Sequence, residues 1–175
     1  GCCGTTHEHI GAAAVRSNGK KTYFSFSGKL SAVSSARKSV FMGNGKPLAV
    51  VGERINPTGK KALQAELREG KTGIVQEFAL EQQIKGAAIL DVNMGLSGID
   101  EREMMVKSVS LLSRTSDLPL CIDSTIPEVV EAALRIYPGR ALVNSISAEK
   151  ERVEKTLPIA AKYGAMFILL PLNDE

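Results

Sequence analysis

Five short apolar runs are each followed by polar residues able to bind a ligand. Leu48-Ala49-Val50-Val51 leads into Gly52-Glu53-Arg54-Ile55-Asn56, Ala88-Ile89-Leu90 into Asp91-Val92-Asn93, and Leu120-Cys121-Ile122 into Asp123-Ser124. Ala141-Leu142-Val143 leads into Asn144-Ser145, and the run from Ala165 to Leu170 into Asn173-Asp174. Carboxylates beside primary amides offer acceptors and donors at short reach, which suits a flat heterocycle with several N–H and C=O groups. The same residue types are also favoured N-caps of a following helix. In Asp123-Ser124-Thr125 and Asn144-Ser145-Ile146-Ser147 a Ser or Thr can do the capping, which leaves Asp123 and Asn144 for binding. Asp91 and Asn93 fit either the ligand or the neighbouring loops, and Glu53 and Arg54 could pair with each other.

A second group of reactive side chains lies at the start, in Gly1-Cys2-Cys3-Gly4-Thr5-Thr6-His7-Glu8-His9-Ile10. Adjacent cysteines between glycines can turn toward one metal ion, and thiolates with histidine suit zinc. The alternative is a tight turn in which each cysteine acts as a small hydrophobe. His7 and His9 are expected at the surface or behind a metal ligand, and Cys121, inside an apolar run, in the core. Three cysteines, two of them adjacent, make a poor disulfide framework and fit a reducing compartment, the cytoplasm.

The elements that must position these groups alternate. Continuous apolar runs of this length suit strands buried on both faces. Between them, helical spacing relates Ile74, Val75, Phe78 and Ala79; Met105, Val109 and Leu112; Val129, Val130, Ala133, Leu134 and Ile136; and Val153, Leu157 and Ala160. Ser124 or Thr125 is expected to cap one helix, with Pro127 and Glu128 in its first turn, and Ser147 the next. Pro158 is expected to kink or restart the last helix. Five strands alternating with four helices indicate a parallel α/β sheet with right-handed crossovers, either open and doubly wound or closed into a barrel. A (β/α)8 barrel takes ~250 residues. About half that number follow residue 46, so a barrel here is the N-terminal half of one. Residues 16–45, rich in Ser, Gly and Lys, read as a linker between a segment 1–15 and a unit 46–175. The start at Gly1 and the stop directly after an apolar run suggest a chain that continues at both ends.

The 175 residues are 43% hydrophobic and 23% charged, which excludes a disordered or fibrous chain. The net charge of +3, with no Lys/Arg run longer than two, leaves no footprint for nucleic acid. No apolar stretch approaches the ~20 residues of a membrane span.

From residue 48 onward, Val51-Gly52-Glu53-Arg54-Ile55-Asn56-Pro57-Thr58-Gly59, Leu90-Asp91-Val92-Asn93, Cys121-Ile122-Asp123-Ser124-Thr125 and Val143-Asn144-Ser145-Ile146-Ser147 resemble the pterin-binding barrel of methyltetrahydrofolate:corrinoid methyltransferases. Gly1-Cys2-Cys3-Gly4-Thr5-Thr6 with Glu8-His9-Ile10 resembles the end of the homocysteine-binding barrel of cobalamin-dependent methionine synthases. The resemblance implies a dihydropteroate-synthase-like pterin barrel in which Asp123 and Asn144 hydrogen-bond the pterin and Asp91, Asn93, Glu53 and Asn56 line the same pocket. It implies 5-methyltetrahydrofolate as substrate, Asn144 as the catalytic group, cobalamin held by a corrinoid-binding domain or protein, and homocysteine as the final methyl acceptor. It also implies zinc bound by Cys2 and Cys3, two of three thiolates. In that reaction the N5 methyl passes to cobalt(I), and N5 leaves only with proton or hydrogen-bond donation. Two other readings stand beside it. Dihydropteroate synthases share the barrel, but typically carry Asn-Xaa-Thr-Pro-Asp-Ser-Phe where this chain has Asn56-Pro57-Thr58-Gly59. A non-catalytic half barrel could bind folate or pair through its open edges.

Overall fold

The computed structural model of the chain describes residues 6–18 and 31–171. A helix α1 (His7–Ser17) comes first. Its start is held by Thr6, whose backbone N–H donates to His9 Nδ1 at 3.1 Å, so His9 serves the helix's own first turn. A hairpin follows, β1 (Ser31–Ser34) antiparallel to β2 (Ser39–Met42). The remaining elements are β3 (Val51–Ile55), α2 (Lys61–Arg68), α3 (Gly73–Ile84), β4 (Ile89–Asn93), α4 (Glu101–Thr115), β5 (Leu120–Asp123), α5 (Pro127–Ile136), β6 (Leu142–Ser147), α6 (Lys150–Tyr163) and β7 (Met166–Leu170).

Strands β3 to β7 form one parallel sheet in sequential order, with helices in the crossovers: a partial (β/α) barrel. Sequential order separates it from the doubly wound alternative, in which the strand order reverses at a switch point. Because successive strand residues face opposite ways, the sheet has two apolar layers. Leu90, Val92, Leu120, Ile122, Ala141 and Val143 pack outward against Val75, Met105, Val109, Leu112, Val130 and Ala133 of the helices. Ile89, Cys121 and Leu142 face inward and pack with Val33, Val40 and Met42 of the hairpin.

The hairpin therefore closes the end of the sheet where the strands begin. Composition points to a linker over 16–45, and within it residues 31–42 form this hairpin. The serines and lysines of the hairpin are mostly exposed, and they hide the few apolar residues that plug the interior. The seat is polar and specific. Ser34 N–H donates to the Arg140 carbonyl at 2.9 Å, Arg140 N–H to Ser34 Oγ at 3.0 Å, and the Tyr137 hydroxyl to the Ser34 carbonyl at 2.9 Å. Arg37 donates to the carbonyls of Ser116 and Arg114, both at 2.9 Å.

Several local expectations are corrected. The first strand of the sheet is Val51–Ile55, not Leu48–Val51, so Glu53 and Arg54 lie on the strand rather than in the loop after it. An unexpected helix, α2, precedes α3; its amphipathic signal is only Leu63 and Leu67 among polar residues. Helix α5 is capped at Ile126 and α6 at Glu149, neither through a side-chain bond, rather than at Ser124, Thr125 or Ser147. Helix α6 runs unbroken through Pro158. The carbonyl that loses its N–H there belongs to Glu154, which is exposed and open to water.

Gly139 marks the tightest contact of the plug, since a Cβ built there would lie 2.1 Å from the Ser34 carbonyl oxygen. Gly139→Ala should push the hairpin off its seat and cost about 1–3 kcal/mol. Urea unfolding checks this, and an unchanged midpoint would show that the hairpin is not a fixed part of the core.

Candidate ligand-binding site at the strand ends

The parity that turns Ile89, Cys121 and Leu142 inward also turns Asp91, Asn93, Asp123 and Asn144 inward. Register completes the alignment: Asn93 is opposite Asp123, and Asp123 opposite Asn144, so three adjacent strands present one polar row. One layer deeper, Asp91 is opposite Cys121, and Cys121 opposite Leu142. The polar row thus lies at the carboxyl ends of the strands, away from the hairpin, where parallel α/β folds bind ligands.

Amides and carboxylates in this row are paired. Asn93 Nδ2 donates to Asp123 Oδ2 at 2.8 Å, and Asn93 Oδ1 accepts from Gly95 N–H at 2.8 Å, so both ends of the Asn93 amide are engaged. Asn144 Nδ2 donates to Asp91 Oδ1 at 3.2 Å. Asn93, Asp123 and Asn144 are half-buried, while Asp91 is only 4% exposed. The peptide bond between Asn144 and Ser145 is cis.

Burial pushes the Asp91 carboxyl above the usual carboxylate range, and the nearby charges of Asp123 and Glu53 add to the rise. Hydrogen bonds from the Cys121 thiol and the Asn144 amide pull the other way without cancelling it. Cys121 is itself buried, and its thiol is pushed upward by desolvation and by the Asp91 charge, so it stays a protonated donor. Composition marked Cys121 as core, which it is. Its place beside Asp91 follows from parity and register, since it stands two residues before Asp123 and opposite Asp91.

The other expected residues fall in different places. Glu53 stands near Asp91, close enough for its charge to add to the rise in the Asp91 carboxyl. Arg54 does not pair with it: neighbouring strand residues point to opposite faces, and Arg54 meets Glu81 at 2.9 Å and lies 4.7 Å over the Phe78 ring. Asn56 serves its own turn, where Oδ1 accepts from Thr58 N–H at 2.9 Å and its backbone carbonyl from Lys60 Nζ at 3.1 Å. Ser124 ties the rim together, donating to Glu101 Oε1 at 2.5 Å and accepting from Ile126 N–H at 3.2 Å. Cys2, Cys3, Asn173 and Asp174 lie outside the described residues. Among the described residues, no group of three or more His, Cys, Asp or Glu side chains could hold a metal ion.

The profile of a family described as pterin binding enzyme matches residues 52–174, which include every polar group of the row. The chain belongs to the pterin-binding enzyme family. Over 181 residues it is 32% identical to methionine synthase of Mycobacterium tuberculosis, a likeness that spans 100% of this chain and 15% of that protein. The structure of 7,8-dihydropteroate synthase from Vibrio fischeri superposes with a TM-score of 0.52 at 18% identity, over 79% of this chain and 48% of that one. That likeness bears on fold alone, and it agrees with a partial barrel. Among the described residues no helix is long and apolar enough to cross a membrane.

The raised carboxyl makes stability depend on pH in a definite sense. Stability held by Asp91 is fully present below the usual carboxylate range and is lost as pH rises through its elevated value, because the folded state holds the proton more tightly. Asp91→Asn removes this component. The stability of the parent relative to the variant should therefore fall as pH rises from about 4, just where carboxylates ordinarily titrate. Thermal unfolding across pH reads the difference, and a pH-independent gap would refute it.

Proposed function

We propose that the barrel binds the pterin ring of 5-methyltetrahydrofolate and that the full protein passes its N5 methyl to cobalamin and then to homocysteine. The observation that carries this reading is the paired row Asn93, Asp123 and Asn144 at the strand ends of a pterin-binding family member. Likeness to a methionine synthase along the whole chain supports the methyltransferase reading over other pterin chemistry.

In this reading Asp123 accepts from the pyrimidine edge with the oxygen that Asn93 leaves open, and Asn144 offers its carbonyl and its second Nδ2–H. The row holds the ring flat at the mouth, with Glu53 and Asn56 at its side. Transfer breaks the bond between N5 and its methyl carbon, and the electron pair stays on N5. A donated hydrogen bond or proton at N5 lowers the cost of that charge, and Asn144 is the residue we assign to the catalytic step, as the group that fixes the ring for it. Fixed orientation contributes further, since the methyl carbon must meet its acceptor in line. Cobalamin, when presented by its own domain or protein, supplies the metal that accepts the methyl group.

Cys2 and Cys3 are assigned to zinc in the segment 1–15, as the end of a homocysteine-binding domain. Zinc bound there would hold the homocysteine thiol as a thiolate. Residues 16–45 are read as joining that segment to the pterin unit at 46–175, with the hairpin 31–42 docked under the barrel. The cytoplasm is the compartment we assign, which fits free thiols such as Cys121.

In the full-length protein, Asp123→Ala should weaken methyltetrahydrofolate binding by about 1–3 kcal/mol, the cost of a lost charged hydrogen bond. Titration calorimetry measures this, and unchanged affinity would remove Asp123 from the site. Cys2→Ser should abolish bound zinc and homocysteine methylation while leaving methyl transfer from folate intact. Metal analysis of the purified variant decides it, because zinc retained at the parent's level excludes Cys2 as a ligand.

A further inference from the structure

We propose that Asp91 is a positioning residue: it holds the Asn144 amide with its carbonyl oxygen toward the mouth, so that the site accepts a ligand edge that donates there. This deepens the pterin reading and rests on it.

Asp91 and Asn144 stand on strands separated by β5, yet Asn144 Nδ2 reaches Asp91 Oδ1 at 3.2 Å. An ionised carboxylate only accepts, so turning the Asn144 amide over would set its oxygen against Asp91 and leave two acceptors facing each other. One orientation of the amide is thereby selected. At 4% exposure Asp91 sits beneath the row, one layer down, opposite Cys121 of β5. A group so placed acts on a ligand through Asn144 rather than by touching it.

The consequence is a specific polarity. Asn93 occupies Asp123 Oδ2, which leaves Asp123 Oδ1 open, and Asp91 occupies Asn144 Nδ2, which leaves Asn144 Oδ1 open. Asp123 and Asn144 are register partners on adjacent strands, so the two open oxygens belong to neighbouring positions. Two acceptors side by side read an edge with two adjacent donors, as the N–H and amino group of an aminopyrimidinone provide. An edge that offers acceptors at the same points would leave both oxygens unpaired.

The test uses the full-length protein and methyltetrahydrofolate binding by calorimetry. Asp91→Ala should weaken binding about tenfold, whereas Asp91→Asn, which keeps a carbonyl acceptor for Asn144, should stay within about threefold of the parent. In an Asn144→Ala background, Asp91→Ala should cost less than about twofold, because its effect runs through the missing amide. Equal losses in both backgrounds, or full loss in Asp91→Asn, would mean that Asp91 meets the ligand directly, and would overturn the proposal. The liganded structure of the unmodified protein gives a check independent of variant folding: Asn144 should lie between Asp91 and the pterin. An Asp91 oxygen within hydrogen-bond distance of the ligand overturns the proposal while sparing the pterin reading. If the unmodified protein fails to bind methyltetrahydrofolate at all, both fall.

Discussion

Carboxylates crowded into one barrel interior are the constraint that shapes this structure. Glu53 and Asp123 both stand near the buried Asp91, and like charges in a partly buried site oppose one another's ionisation. The amides answer that problem. Asn93 donates to Asp123 and Asn144 donates to Asp91, so these two carboxylates each have a neutral donor across the strands. Neutral donors leave the negative charge in place for a ligand, whereas lysine or arginine partners would cancel it. The Cys121 thiol adds a third donor without adding charge.

Such a row is useful only if its strands cannot slide. Below it, Val33, Val40 and Met42 of the hairpin pack against Ile89 and against Cys121 and Leu142, which share the layer of Asp91. The hairpin is held by the 137–140 turn and by Arg37, through bonds that span about a hundred residues of sequence in the case of Tyr137 and Ser34. Above the row, Ser124 bonds Glu101 and Arg152 reaches the Thr125 carbonyl, so the loops after β4 and β5 and the start of α6 are tied to one another. Outside, Gln82 fixes β3: its Oε1 accepts from Arg54 N–H at 2.8 Å and its Nε2 donates to the Phe78 carbonyl at 3.0 Å. Gly52 leaves room for that side chain, since a Cβ there would lie 2.5 Å from Gln82 Oε1. The site is thus held from beneath, above and outside by groups that need not touch a ligand.

Much of the α/β pattern was legible in the chain because buried parallel strands are continuous apolar runs and their covering helices are amphipathic. Ala88–Leu90, Leu120–Ile122 and Ala141–Val143 each announce a strand, and the polar residue after each announces the rim. The first strand, Val51–Ile55, is hard to place by pattern because Gly52-Glu53-Arg54 has the composition of a loop. Arg54 on its outer face is paired by Glu81 of α3, a partner 27 residues away that no local pattern reports. The hairpin was hidden for a related reason: its apolar residues are few, and their partners lie far along the chain. Likewise Ser124 carries the residue type of a helix cap but spends its hydroxyl on Glu101, a choice made by the approach of two loops.

What the chain by itself determined was the class of fold, the rim on which Asp91, Asn93, Asp123 and Asn144 gather, and the family to which those residues belong. Periodicity and residue type are local properties, and they are enough for that. Which oxygen of each carboxylate is occupied, which face of each amide looks outward, and that Asp91 is buried beneath Asn144 were decided only by the tertiary structure. Those facts depend on register between strand residues 21 to 30 apart in sequence, where a shift of one residue would turn every inward group to the other face.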